Sequence, residues 1–219
     1  MTPSEEIDHY ARIIMGCESI NSVFANGGKL TEDGRYAQAV LKLHVEDAGD
    51  IAGTESFLDS FKKGAENVKE WIVKLVKAIR DFVTGKKKER PEPPKPSGTP
   101  KEESGSSKTK SGEKYVTPIN SLIAKAQKTD GLSGVVGALN TALSTAKSGT
   151  AKDVGQKLRA ADDRILSEMQ TRTNKLNQLA SKDNAQAEIN KEIQAIKVLG
   201  NLSQQIDHVI ERTFNESMS

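Results

Sequence analysis

Residues 57–88 read FLDSFKKGAENVKEWIVKLVKAIRDFVTGKKK, and the use made of this stretch decides the architecture. Phe57, Phe61, Ala65, Val68, Ile72, Leu75, Val76, Ile79 and Phe82 recur at three-and-four spacing and form one apolar stripe. Charged side chains fill the rest of the surface, so the spacing predicts a strongly amphipathic helix. Nine lysines and arginines stand against four acids. Three uses fit. The helix can pack on the residues before it and complete a three-helix bundle. It can lie in a membrane interface, with Trp71 at the edge of the stripe and lysines after it. It can dock into a partner's groove. The candidate partner or membrane face is Phe57, Phe61, Val68, Trp71, Ile72, Leu75, Ile79 and Phe82.

Toward the N-terminus, Thr2-Pro3-Ser4-Glu5 places a hydroxyl at the N-cap, proline at the first helical position and a carboxylate three residues on, a capping box. Ile7, Tyr10, Ile13, Ile14, Cys17, Ile20 and Phe24 continue the helical period until Asn26-Gly27-Gly28 stops it. A second helix is expected from about Thr31 to Asp47, with Tyr36, Ala39, Val40 and Leu43 inward, giving a helical hairpin. Residues 48–55 read as a glycine-bearing connector.

Toward the C-terminus, Thr84 to Lys114 contains no Ala, Val, Ile, Leu, Met, Phe, Trp or Tyr. Nothing there offsets the roughly 1–2 kcal/mol per residue that backbone ordering costs, so a disordered linker is expected. Beyond it, Thr117-Pro118 reads as a helix start with Ile119, Leu122, Ile123 and Ala126 inward, and Val135 to Ala146 as a small-residue helix. Thr150 with Asp153 repeats the capping-box pattern and opens a long helix. A turn near residues 181–186 leads into a last helix. The narrow seam of these two, Ile165, Met169, Leu176, Ile189, Ile193, Ile196, Leu202 and Ile206, predicts coiled-coil-like antiparallel pairing.

Composition agrees with this division. Of 219 residues, 35% are hydrophobic and only 4% aromatic, which favours several small helical pieces over one large core. A net charge of +2 argues against a dedicated nucleic-acid protein. One cysteine excludes an intramolecular disulfide and a cysteine-based zinc cluster. The acidic start lacks the apolar run of a secretory signal, and no apolar stretch approaches the ~20 residues of a membrane-spanning helix. A product made in the cytoplasm is expected.

Reactive constellations are absent from the pattern. There is no P-loop or dinucleotide fingerprint, and His9, His44 and His208 lie far apart. His9 and Cys17 are about two helical turns apart on one face, but a thiol in an apolar stripe is expected to be buried and inert. Asp162 and Asp163 point about 100° apart and read as solvated charges, not as a proton-sharing pair. We therefore expect no enzyme, cofactor, metal or small-molecule substrate. Lys86, Lys87 and Lys88 read as a solvated helix boundary or as a phosphate contact on DNA or anionic lipid, without base-stacking aromatics.

The segment Gly53 to Phe82, GTESFLDSFKKGAENVKEWIVKLVKAIRDF, resembles internal head proteins of large tailed bacteriophages. The resemblance covers about these thirty residues and the overall layout, and nothing after Tyr115 resembles a known family. It implies an N-terminal helical propeptide that targets the assembling prohead and is removed by a prohead protease after a glutamate. The matching glutamate is Glu55, and Ser56 becomes the new N-terminus. The expectation is thus an all-α chain: a helical hairpin over 1–55, an amphipathic helix over 56–83, a disordered linker over 84–114 and a helical domain over 115–219. The expected role is that of a non-enzymatic virion component, packaged inside the head and ejected with DNA. Its expected partners are other virion proteins or other copies through the C-terminal helices, with non-specific DNA or anionic-membrane contact. A helical adaptor or chaperone-like module, or a membrane-active effector, is the alternative.

Overall fold

The computed structural model describes residues 2–47, 68–88, 111–182 and 185–217, and among them the chain is all-α with no strand. The helices are α1 (Pro3–Asn26), α2 (Glu32–Asp47), α3 (Val68–Lys88), α4 (Val116–Gln127), α5 (Ser133–Ser148), α6 (Ala151–Leu179) and α7 (Gln186–Ser217), with a 3-10 turn at Glu113–Tyr115 before α4.

The capping signals read from sequence are present. The Thr2 amide donates to the Glu5 carboxylate at 2.6 Å, and the Glu5 amide donates to the Thr2 hydroxyl at 3.3 Å. These bonds hold the Glu5 carboxyl below its usual range. Thr150 and Asp153 repeat the arrangement at the start of α6. Gly27, with φ of 73°, closes α1 by donating to the Val23 carbonyl at 2.8 Å. The start of α4 differs from expectation. Tyr115 occupies the N-cap without a side-chain bond, so Pro118 falls two residues inside the first helical position, in the first turn where its missing N–H costs nothing.

α1 and α2 form the expected hairpin, but α2 is rotated from the face expected for it. Ala37 and Leu41 are buried, while Leu43 is 62% exposed and Ala39 lies outward. Small residues set this crossing. A Cβ on Gly16 would run into the Asp33 carbonyl oxygen and the Ala37 Cβ, and one on Gly34 would meet Ser19 Oγ at 2.7 Å. Close backbone approach, rather than the largest side chains, selects the face of α2.

α6 and α7 run antiparallel. Gly155 of α6 lies against Thr213 of α7, and Asp162 bonds Ser203, so positions rise along one helix as they fall along the other. Ile165, Met169, Leu176, Ile189, Ile193, Ile196, Leu202 and Ile206 are all buried, as the seam pattern predicts. Leu158, Ala161 and Leu199 are buried along the same apolar period, and Val154, Leu166 and Ala195 widen the strip beyond it.

The described residues group into two compact units, Met1–Phe82 with Gln170–Lys197, and Val83–Met169 with Val198–Ser219. α3, α6 and α7 each contribute to both units. These units do not coincide with the division expected at a linker. α3 continues through Thr84 and Gly85 to Lys88, and the described residues resume at Ser111. The Ser111 hydroxyl accepts the Ala151 amide at 2.9 Å, and a Cβ on the buried Gly112 would come within 2.8 Å of the Gly149 carbonyl. Polar bonds and a bare glycine fasten these ends, and neither registers in a scan for apolar residues. Residues 89–110, the middle of the expected linker, lie outside the described residues.

Candidate functional site

The apolar stripe of α3 is covered within the chain. Trp71, Ile72, Leu75, Ile79 and Phe82 are each at most 8% exposed, as are Val76, Ala78 and Val83; Val68 is half-buried. In the first unit the Tyr10 ring of α1 lies 6.0 Å from the Trp71 ring, and Lys74 sits 4.4 Å above the indole. Of the three uses weighed for this helix, packing against the chain's own helices describes its stripe, because burying these side chains internally removes them from any membrane or groove. Phe57 and Phe61 lie outside the described residues. The outward face of α3 is polar, apart from Val73 at 64% exposure.

The lysine cluster divides. Lys86 is not a free phosphate contact. Its ammonium donates to the Ser203 hydroxyl at 2.8 Å and to the Ser203 carbonyl at 3.2 Å, and pairs with the Asp207 carboxylate. Lys87 and Lys88 belong to α3, and their side chains lie outside the described portion. Glu55 and Ser56, the candidate cleavage site, lie outside the described residues as well.

Asp162 corrects the reading of its pair as solvated. It is 1% exposed and accepts the hydroxyl proton of Ser203, itself fully buried, at 2.5 Å. Asp163 remains exposed. Ser203 thus lies between the Asp162 carboxylate and the Lys86 ammonium, an arrangement contained within the second unit. In the first unit, Glu192 is 3% exposed and takes Arg172 Nη1 at 3.0 Å on one carboxylate oxygen and Lys175 Nζ at 2.5 Å on the other. Such pairing offsets part of the cost of burying the carboxylate. Sequence shows only their place, not their partners: Asp162 follows Ala161 and Glu192 precedes the seam residue Ile193, each one step beside the apolar period.

His9, Tyr36, Arg12 and Asp33 join α1 to α2. His9 Nδ1 and the Tyr36 hydroxyl share a hydrogen bond at 2.6 Å, and Arg12 lies 4.1 Å over the Tyr36 ring while donating to Asp33 at 3.0 Å. Cys17 is 1% exposed, and burial pushes its thiol up to about 11. His208 is at the surface beside Glu211. Among the described residues no cluster of histidine, cysteine and acidic side chains has the geometry to hold a metal, and no helix is long and apolar enough to cross a membrane.

Compared with known proteins, the chain matches no family model, and no curated protein or solved structure is similar to it.

Proposed function

We propose that this chain is a non-enzymatic structural component of a phage virion, packaged inside the head and acting through the surfaces of its helices. The resemblance of residues 53–82 to internal head proteins supports the setting. The observation that carries the non-enzymatic part is where the polar chemistry sits: Asp162, Ser203, Glu192 and Cys17 are all within 3% of full burial and serve the packing of helices. A nucleophile or general base must reach a substrate, and these groups are enclosed among packed helices.

Processing after Glu55 takes on a specific meaning in this fold. It would separate α1 and α2 from the rest of the first unit, to which α1 is fastened by Tyr10 against Trp71 and by Asp8 paired with Lys197 at 3.0 Å. Departure of that piece would uncover the stripe of α3, and only then would Trp71 and Ile72 meet other virion proteins, DNA-associated material or an anionic membrane. Mass spectrometry of purified virions tests the proposal. A chain beginning at Ser56 supports it; absence of the protein from virions refutes it.

A further inference from the structure

The seam between α6 and α7 is made mostly of isoleucine, leucine and alanine, and its period is close to seven. Such a seam is degenerate. Sliding one helix by seven residues brings apolar side chains opposite apolar side chains again, within one chain or between two copies. Two buried polar contacts break this degeneracy. Asp162 faces Ser203; seven residues either way along α7 stand Ile196 and Ile210. Glu192 faces Arg172; seven residues either way along α6 stand Ile165 and Leu179. Either slip aims each carboxylate at a branched hydrocarbon and costs it its observed hydrogen bond.

We infer that the Asp162–Ser203 and Arg172–Glu192 contacts are register locks, which confine α6 and α7 to one intrachain alignment and deny their seam to a second copy of the chain. Each lock lies within a different compact unit, so the alignment is checked twice along the same pair of helices. Lys86 strengthens the first lock: its ammonium donates to the Ser203 hydroxyl oxygen and leaves that hydroxyl's proton for the carboxylate. Lys175 strengthens the second by occupying the remaining Glu192 oxygen. Gly155 acts through shape. A Cβ there would meet the Thr213 hydroxyl oxygen at 2.5 Å, so this position admits Thr213 only because it is glycine.

The test uses the full chain in three forms: unaltered, with all four positions made apolar (Asp162→Leu, Ser203→Ala, Arg172→Leu, Glu192→Leu), and with the first lock exchanged (Asp162→Ser, Ser203→Asp). Light scattering after size exclusion reads self-association, and amide NMR reads the number of alignments. The unaltered chain is expected at the 23.7 kDa of one copy with a single set of resonances. The apolar form is expected to remain helical while losing that uniqueness, with doubled resonances or a mass rising with concentration. The exchanged form, which keeps a carboxylate against a hydroxyl, is expected to keep one alignment. A monomeric apolar form with one resonance set overturns the inference, because the hydrocarbon alone then specifies register. An apolar form that does not fold overturns it too, since the contacts would then drive folding rather than choose among alignments. Self-association of the unaltered chain through Ile193, abolished by Ile193→Asp with folding retained, also overturns it.

Discussion

The carboxylate of Asp162 accepts the hydroxyl proton of Ser203 at 2.5 Å, and both residues are shut away from solvent. Removing the hydroxyl leaves a buried acceptor short of a donor, which costs more than the bond itself contributes. Ser203→Ala is expected to lower stability by about 1–3 kcal/mol. Urea unfolding checks it: the midpoint falls while the slope stays constant.

Glu192 receives two cations that differ in burial, and their removal separates two regimes of ion-pair energetics. Arg172 is nearly buried, so Arg172→Met strands the carboxylate inside and is expected to cost about 3 kcal/mol. The Lys175 side chain is 53% exposed, and Lys175→Met is expected to cost under about 1 kcal/mol. Parallel chemical denaturation of the two variants measures the contrast, and equal losses would contradict it.

Two glycines are expected to respond in opposite directions. Gly16 lies where the α1 backbone approaches α2, and Gly16→Ala is expected to destabilise by about 1–3 kcal/mol through overpacking. Gly137 is exposed inside α5 with open space around it, so Gly137→Ala is expected to stabilise by about 0.5–1 kcal/mol. Thermal melts of both variants decide the signs.

The α2 hairpin shows where sequence reading succeeds and where it stops. Caps were legible because they depend on neighbours three residues apart: Thr2 with Glu5, Thr150 with Asp153. The seam of α6 and α7 was legible because its period is sustained over many turns. The inward face of α2 was not, since Gly16 and Gly34 admit a backbone approach that draws in Ala37 and leaves Leu43 outside. Asp162 was read as a solvated charge because its partner lies 41 residues away, and Glu192, whose partner lies 20 residues away, drew no reading at all. No local pattern announces such pairs.

Cys17 gives a pH signature with a definite sign. Its folded thiol titrates at about 11 against an ordinary 9.0, so the unfolded chain loses the proton first as pH rises. Stability is therefore complete below pH 9 and falls across the window from 9 to about 11, by roughly 2–3 kcal/mol from this group. Comparing Cys17→Ala with the parent chain isolates the effect, because the variant lacks this decline. Alkylation of the native protein at neutral pH is expected to be slow and to accelerate in urea.

Cleavage after Glu55 is expected to leave the two pieces together. Tyr10 against Trp71 and Asp8 with Lys197 hold α1 to residues on the far side of the cut. Residues 1–55 and 56–219 produced as separate chains, with no virion protein or membrane present to take the place of 1–55, are expected to co-purify. Recovery of a folded 56–219 piece that never binds 1–55 would count against this.

Lys88 and Ser111 belong to the same compact unit. The residues between are therefore no spacer between separate bodies, because their two ends answer to one hydrophobic interior. Residues 89–110 carry no Ala, Val, Ile, Leu, Met, Phe, Trp or Tyr, so a change of length there removes none of the buried side chains of the described helices. New termini opened there by circular permutation fall in polar sequence, which offers evolution, or an engineer, a place to rewrite the polypeptide.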